Sequence, residues 1–248
     1  NLTFQTGVTY RTLESAAPDF SLDYYTTLPS PANPNGVVEG TVVQSEASIQ
    51  VEYTPNRRPI AFGVERSIAS SPYSTFFVNY SQGYKGVINS DFNYQKLQVY
   101  LKQPIIIGPL GRTNLILEAG KTFGTIPLGL LSVIPGNQTY FTLENTFSNV
   151  NYYEFVTDEY LMLQWNHDFG GRLFARVPFM RKLNWREFVG IKAVHGTISD
   201  ANRAINASGQ PYNAPENVYW EYNAGIGNIF KVFRIDFSWR GSYLNTPD

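Results

Sequence analysis

Two histidines are the side chains of this chain with the clearest capacity for catalysis. His167 directly precedes Asp168, and a histidine next to an aspartate can act as a general base. The residues around the pair alternate between apolar and polar, which predicts a strand, and adjacent strand residues point to opposite faces. The two side chains therefore cannot meet. We expect His167 to be an interfacial residue on the face that also carries Trp165 and Phe169.

The remaining candidates for chemistry are equally isolated. His195 ends a predicted strand without a second histidine nearby, and Asp158 with Glu159 is most simply a solvated loop end. Gly225 and Gly227 form a G-x-G inside a strand, which indicates close packing rather than phosphate binding. The chain has no cysteine and no G-x-S-x-G motif. We therefore expect a protein that is not an enzyme, with no catalytic residue, no metal site and no cofactor.

Composition narrows the class of protein further. The 248 residues include 19 Lys and Arg against 20 Asp and Glu, so there is no basic surplus for nucleic acid, and we expect no nucleic-acid partner. Charged residues make up 16% of the chain, whereas aromatic residues reach 15%. Few charges with many aromatic side chains are typical of a membrane surface or a dense β core. No apolar run is long enough for a transmembrane helix.

Long stretches of period-two alternation dominate the sequence, and helical periodicity is almost absent. The alternation predicts nine strands at 3–13, 41–53, 75–84, 90–103, 112–123, 159–169, 185–195, 218–227 and 231–243. Strands of soluble proteins usually run about five or six residues, whereas a tilted transmembrane strand needs about 9–11. A soluble sandwich explains any one of these strands. The length of so many of them favours an all-β fold, an antiparallel transmembrane β-barrel.

The connections between the predicted strands differ in length. Pro- or Gly-marked links at 54–59, 104–111 and 228–230 interleave with long polar loops at 14–40, 124–157 and 196–217, with one exception at 85–89. Short turns on one side and long loops on the other are typical of outer-membrane barrels. We find no linker or repeat, so residues 1–248 are predicted to form a single domain.

The closing hairpin shows how the two faces differ. A tight turn at 229–230 pairs Trp220 with Trp239 and Tyr222 with Phe237, although a slip by two residues preserves the agreement between faces. Parity predicts lipid-facing aromatic residues at Trp165, Trp220, Tyr222, Phe233, Phe237 and Trp239. It predicts a lumen-facing polar ladder at Arg11, Glu46, Glu52, Glu118, Glu221, Arg234, Asp236 and Arg240. This ladder either lines a transport path or makes the wall rigid through hydrogen bonds and ion pairs.

Three segments carry a resemblance to a known family: GIGNIFKVFRIDFSWR (225–240), FGGRLFARVPFMRKLNWRE (169–187) and SDFNYQKLQVYLKQP with GPLGR (90–112). Together they resemble Bacteroidetes outer-membrane proteins that carry an N-terminal carboxypeptidase-regulatory-like domain. The C-terminal barrel of these proteins resembles the surface-antigen superfamily of BamA and TamA. The family label implies no peptidase activity, because the domain behind it is a β-sandwich accessory domain.

The resemblance implies a sixteen-stranded barrel of which this chain holds roughly the C-terminal half, about nine strands. The N-terminal accessory domain, the early strands and the last strand are then expected outside this chain. Alternatively, a partner chain covers the open edges. Loop 124–157 corresponds to the long sixth extracellular loop of the superfamily, but the [VI]-R-G-[FY] motif of that loop is absent here. Gly136 and Asn137 are predicted to form a tight turn in it.

The function implied by the resemblance is envelope biogenesis, meaning assembly, insertion or translocation of outer-membrane or surface components in a Gram-negative cell. A passive or gated solute channel is the first alternative, and a structural barrel subunit of a larger outer-membrane complex is the second. The expected location is integral to the bacterial outer membrane. The expected partners are outer-membrane lipid, lipopolysaccharide and other outer-membrane or periplasmic proteins.

Overall fold

Nine long strands form the framework of the protein. The computed structural model describes residues 1–15, 20–56, 73–139, 143 and 145–245. The strands are β1 (Leu2–Leu13), β2 (Val42–Tyr53), β3 (Thr75–Gly83), β4 (Tyr94–Ile106), β5 (Arg112–Phe123), β6 (Glu159–Asp168), β7 (Arg186–Thr197), β8 (Tyr219–Ile229) and β9 (Phe233–Arg240). Alternating β-branched and aromatic side chains favour this pleated conformation. The nine predicted strands correspond to these nine, and the fold is all-β.

The sheet is an antiparallel meander in which each strand pairs with the next one along the chain. Among the described residues, β1 and β9 are its two edges. Two short antiparallel pairs, Tyr24–Thr27 with Val37–Glu39 and Ser132–Val133 with Val156–Thr157, lie in the connections. The helical pieces are α1 (Asp200–Ala204) and the 3-10 turns Val87–Asn89, Gly108–Leu110, Leu128–Leu130, Phe174–Arg176 and Met180–Leu183. In the part of the chain that the structure describes, no helix has the length and apolar character to cross a membrane.

Several strand boundaries differ from the prediction by one to four residues, and two of these differences have a clear structural reason. The link predicted at 104–111 begins later, because β4 continues through Pro104 to Ile106. Pro104 lies beyond Lys102, the last residue of β4 that pairs with β3. Among the described residues the strand therefore has no ladder partner on that side of Pro104, where a missing amide is tolerated. At the other boundary, β9 ends at Arg240, and Tyr243 turns away from the apolar face to pack against Phe155.

The closing hairpin has a register two residues away from the predicted one. Tyr222, not Trp220, lies opposite Trp239, and Ala224 lies opposite Phe237. The connection is 230–232 rather than a two-residue turn, with an irregularity in the ladder between Ile226 and Ile229. Because the shift is an even number of residues, every side chain keeps its predicted face.

The connections divide between the two ends of the sheet. The described residues of links 14–41, 84–93, 124–158 and 198–218 lie at one end, which we call the cap end. The described residues of links 54–74, 107–111, 169–185 and 230–232 lie at the other, the turn end. Half of the short link predicted at 54–59, residues 57–59, lies outside the described residues. The turn-end link 169–185 is long, contrary to the sorting by length, because it folds into two 3-10 turns of its own.

The larger of two clusters of buried apolar side chains lies at the cap end, in a region that we call the cap. This cluster of buried side chains comes from the cap-end links and the strand ends beside them: Leu22, Tyr24, Val42, Tyr94, Ile126, Leu128, Leu130, Leu131, Val156, Ile198 and Ala214. Asp158 joins two links in this region by accepting hydrogen bonds from the Ser199 amide and the Asn202 side chain, both at 2.8 Å. Burial in the cap raises the pKa of the Tyr24 hydroxyl, with Asp91 and Glu39 adding to the effect.

Candidate functional site

The candidate site is the polar face of the sheet together with the cap-end loop 124–158 that packs on it. Cross-strand partners share a face, and the register connects all the residues of the predicted charged ladder to one face. These residues are Arg11, Glu46, Glu52, Glu118, Glu221, Arg234, Asp236 and Arg240. The structure does not bring them together as one cluster; they form separate groups along the sheet.

The first group, which we call the loop clamp, consists of Glu154, Lys192, Glu221 and Arg240. The carboxylate of Glu221 lies 3.6 Å from the ammonium of Lys192, and their side chains are 3% and 10% exposed. The same carboxylate accepts hydrogen bonds from the backbone amides of Ser148 at 2.7 Å and Asn149 at 3.0 Å. Glu221 of strand β8 therefore holds the middle of loop 124–158 against the sheet.

Lys192 and Arg240 complete the loop clamp from the strands on either side. Lys192 donates to the carbonyl of Thr146 at 2.6 Å. Arg240 makes a bidentate pair with Glu154 of the loop, at 2.9 and 2.8 Å, and also donates to the carbonyl of Asn149. Its guanidinium lies 5.2 Å from the centre of the Tyr219 ring. A planar fork with two parallel hydrogen bonds fixes both distance and orientation, so the loop is held in one arrangement.

Apolar contacts lie beside the loop clamp. Four loop residues, Ile134, Phe147, Val150 and Phe155, pack against four residues of the polar face, Tyr160, Met162, Val194 and Tyr219. The Tyr219 ring lies 5.6 Å from Phe147 and 5.2 Å from Phe155, centre to centre. The loop thus covers strands β6 to β8 with a second hydrophobic cluster in addition to its ion pairs.

A repeated tyrosine–glutamate pair marks the cap-side half of the polar face. Tyr94 donates to Glu46 at 2.6 Å, Tyr160 to Glu118 at 2.8 Å, and Tyr219 to Glu221 at 3.1 Å. Each tyrosine hydroxyl gives its carboxylate a hydrogen-bond partner; Glu221 is buried, and Glu46 and Glu118 are partly exposed. The pairs lie on different strands from β2 to β8, so they form a layer of hydrogen bonds across the sheet.

The other predicted ladder residues have local partners. Arg11 lies 3.6 Å from Glu46 and donates to the Tyr94 hydroxyl at 3.3 Å. Arg234 and Asp236 pair within strand β9, with a shortest distance of 2.6 Å. Glu52 accepts from the Thr54 hydroxyl at 3.2 Å. Each of these charged side chains thus has a hydrogen-bond or ion-pair partner among the described residues.

The opposite face of the sheet carries exposed apolar side chains on almost every strand. All six residues of the predicted aromatic set lie on it: Trp165, Trp220, Tyr222, Phe233, Phe237 and Trp239. Phe237 is 59% exposed and Trp239 45%. Trp239 stacks on Tyr222 with 5.4 Å between ring centres, and Phe237 stacks on Trp239 at 6.3 Å. Four of these rings, Trp220, Tyr222, Trp239 and Phe237, contact one another in a row on this face.

The predicted turn at Gly136 and Asn137 has a different geometry. Gly136 makes a bridge to Phe147, and a β-carbon on it would overlap the carbonyl oxygen of Val150, so the glycine serves a close approach of two backbones. Asn137 accepts from the Thr139 amide at 3.0 Å and from its hydroxyl at 2.7 Å. This is an Asx-type turn at 137–139 inside the docked loop.

The two histidines do not form a catalytic pair with any carboxylate that the structure describes. His167 is on the same face as Trp165, but it is buried beneath link 107–111. Its Nδ1 lies 2.7 Å from the Thr113 hydroxyl and its Nε2 lies 3.0 Å from the Leu110 carbonyl. His195 is exposed on the apolar face of β7. Among the described residues, no group of three His, Cys, Asp or Glu side chains is placed to hold a metal ion.

Sequence reasoning missed Lys192, Glu154 and the three tyrosines. Lys192 shares the parity of the ladder, so alternation within 185–195 was a usable signal. The tyrosines also had a signal, since Tyr94 and Tyr160 face Gly83 and Gly120 across the ladder, where only a glycine leaves room for the ring. Glu154 had none, because its partner Arg240 is 86 residues away and the loop between strands has no period.

The fold and the site together define an all-β protein built on a large antiparallel sheet with one apolar and one polar face. Residues 23–201 match the C-terminal domain of a family of unknown function (DUF5686), and the chain belongs to this family. A search of curated proteins found no match, and neither did a search of solved structures.

Proposed function

We propose that the nine strands are part of the wall of a transmembrane β-barrel in a bacterial outer membrane. The observation that carries this proposal is the inverted polarity of the sheet. Its exposed face is apolar and aromatic, whereas its polar face holds buried carboxylates and a folded loop. Monomeric soluble proteins rarely expose a contiguous apolar patch larger than a few hundred Å². Alternation of apolar-out and polar-in residues is the pattern of barrel strands in lipid.

The two edges of the sheet require partners in this setting. Strands β1 and β9 each pair with one neighbour among the described residues, and lipid does not satisfy free amides and carbonyls. Further antiparallel strands that pair with both edges would close the barrel. The resemblance to the surface-antigen superfamily of BamA and TamA supports a total of sixteen strands and an N-terminal carboxypeptidase-regulatory-like domain.

We infer that the protein acts without catalysis in envelope biogenesis, in the assembly, insertion or translocation of outer-membrane or surface components. The docked loop supports this role over a permanently open pore. Loop 124–158 fills the space in front of strands β6 to β8, and the loop clamp fixes it there. In the surface-antigen superfamily, the corresponding extracellular loop reaches into the lumen of the barrel. In this protein, the cations that hold the loop, Lys192 and Arg240, are on the strands, and Glu154, which pairs with Arg240, is on the loop.

A gated solute channel is the second candidate, and the loop clamp is the observation that favours it. The loop is attached to the wall partly by ion pairs. A charged ligand can take the place of one partner of an ion pair more readily than it can displace packed apolar side chains. Release of loop 124–158 would then expose the polar face with its tyrosine–glutamate layer.

The two candidates differ in what the release of the loop does. We would reconstitute the full-length protein in planar lipid bilayers and compare wild type with Glu221→Gln, using Glu216→Gln as the matched control. In a parallel experiment, the same variants would replace the protein in cells, and the abundance of other outer-membrane proteins would be measured. A biogenesis role predicts that bilayers with the wild-type protein do not conduct ions. It also predicts reduced levels of other outer-membrane proteins in cells with Glu221→Gln, but not in cells with Glu216→Gln.

The opposite results would assign the other roles. Discrete ion conductance in wild type, with unchanged outer-membrane protein levels in both variants, would favour the channel. Stable co-purification with another barrel, without conductance and without a change in protein levels, would favour a structural subunit. Protein that is removed from membranes by alkaline carbonate would overturn the transmembrane wall itself.

A further inference from the structure

The net charge of the chain conceals a separation of charge between the two ends of the sheet. At the cap end, the described residues of the links include the acidic Glu14, Asp23, Glu39, Asp91, Glu154, Asp158, Asp200 and Glu216, with the basic Lys85 and Arg203. At the turn end, the charged residues described in the links are all basic: Arg172, Arg176, Arg181, Lys182 and Lys231. Because the net charge of the whole chain is −1, only the topology makes this asymmetry visible.

Four of the turn-end cations lie in the single segment 169–185, and all four are exposed. Arg176, Arg181 and Lys182 form no ion pair with a carboxylate that the structure describes. The acidic residues described beside the segment are already engaged: Asp168 lies 3.8 Å from Arg186, and Glu187 is buried and accepts from the Phe174 amide. The positive charge of the segment is therefore uncompensated within the described protein.

Exposed apolar side chains lie between these cations. Leu173, Val177, Phe179 and Leu183 alternate with the basic residues, and Phe179 is 79% exposed. The neighbouring links add Ile107, Leu110, Phe230 and Val232, of which Phe230 is 85% exposed. These exposed apolar side chains lie at the same end of the sheet as the cations and give the basic segment an apolar margin.

The segment is held in place by contacts with link 107–111 and with the end of strand β8. Arg172 donates to the Gly108 carbonyl at 3.0 Å, and the Asn228 side chain donates to the Asn184 carbonyl at 2.7 Å. Inside the segment, the Phe174 and Trp185 rings meet edge to face at 6.3 Å. The cations and the apolar side chains are thus presented from an ordered surface in the described structure.

We propose that segment 169–185 is a docking surface for the anionic headgroups of phospholipids. Arg176, Arg181 and Lys182 contact lipid phosphates, and Leu173, Val177 and Phe179 lie at the boundary between headgroups and acyl chains. Mixed basic and apolar side chains are typical of surfaces at a lipid interface, where each cation adds attraction to an anionic leaflet. The inference rests on the proposed transmembrane wall, because the wall brings this end of the sheet to a leaflet surface. An acidic protein partner would not need the apolar margin.

The test compares two triple variants of the full-length protein. R176Q/R181Q/K182Q removes three turn-end cations, whereas K85Q/K121Q/R203Q removes three cations from the cap end and leaves the segment intact. Each protein is inserted into vesicles of phosphatidylcholine with a minority of phosphatidylglycerol. The lipids that remain bound after extraction are identified by native mass spectrometry. Insertion is measured separately as resistance to alkaline carbonate.

We expect wild type and the cap-end variant to retain phosphatidylglycerol above its share in the vesicles, and the turn-end variant to lose this preference. Each cation removed should weaken the attraction to an anionic surface roughly fivefold. The enrichment should also fall at high salt. If wild type and both triple variants insert and retain the same share of phosphatidylglycerol, the proposed docking surface is wrong, while the proposed transmembrane wall is unaffected. Protein that fails to insert but binds anionic vesicles through these three cations would support the surface and overturn the transmembrane wall.

Discussion

Glu221 and Lys192 form a buried ion pair, 3.6 Å apart, on adjacent strands of the sheet. The carboxylate also accepts two backbone amides of loop 124–158. Removing one partner of a buried pair leaves the other charge without compensation, which typically costs about 3–5 kcal/mol. We expect Glu221→Gln to detach the loop. Limited proteolysis within 134–151 should then become faster by roughly two orders of magnitude, if opening costs about 3 kcal/mol less.

The control for this experiment is Glu216→Gln, which removes an exposed carboxylate paired with Arg203 at 2.7 Å. Exposed pairs contribute about 0–1 kcal/mol, so the cleavage rate should stay near that of wild type. The double variant Lys192→Met with Glu221→Gln should be cleaved more slowly than Glu221→Gln alone, because no uncompensated charge remains. Equal cleavage of wild type and Glu221→Gln would show that the apolar cluster alone holds the loop.

Two adjacent residues of β9 provide the sharpest test of the transmembrane orientation. Phe237 lies on the apolar face and Ser238 on the polar face. We expect Phe237→Arg to impair insertion, because an arginine facing the middle of the bilayer costs about 2–4 kcal/mol. Ser238→Arg should be tolerated beside water. The fraction of protein that stays folded in unheated electrophoresis measures the effect, and equal damage from both variants would contradict the assignment of faces.

Gly120 lies opposite Tyr160, and a β-carbon at Gly120 would overlap the tyrosine ring. We expect Gly120→Ala to displace Tyr160 from Glu118 and to lower the free energy of unfolding by about 1–3 kcal/mol, as overpacking does. Gly129→Ala is the matched control, because the nearest atom would be a side-chain carbon of Leu22 at 3.5 Å, an ordinary contact distance. Thermal unfolding in detergent compares the two, and an unchanged transition for Gly120→Ala would show that the ring can move without cost.

We expect the cluster of buried apolar side chains in the cap to stabilise the cap-end links more than the strands of the sheet. Leu128 is completely buried there, and Lys96 of β4 donates to the carbonyl of Leu130 in the same turn. Leu128→Ala should destabilise the cap by about 2–5 kcal/mol through the cavity that it leaves. Leu110→Ala at the turn end, where the side chain is 59% exposed, should have little effect. Hydrogen exchange would detect faster exchange in 124–134 with protected strands, whereas uniform loss of protection would mean that cap and sheet unfold together.

Alternation in the sequence was enough to predict the nine strands, the side chains that share a face within each strand, and the all-β class. A period of two lies within each strand and requires no information about distant residues. Parity placed Arg240 and Glu221 on one face and Phe237 and Trp239 on the other. It left the hairpin register open, since pairings two residues apart agree equally well with the faces. The structure settled the register through the connection 230–232 and the irregularity between Ile226 and Ile229.

Only the tertiary structure showed which loop residues contact the polar face of the sheet. Loop 124–158 lacks a repeating pattern, so nothing in its own residues indicated that Glu154 meets Arg240 or that the Ser148 and Asn149 amides meet Glu221. The separation of charge between the cap end and the turn end has the same origin. It depends on which links emerge at which end of the sheet, and the order of strands, not the composition, sets that. Ion pairs and charge patches between remote segments come from the path of the chain, whereas the two faces come from local sequence.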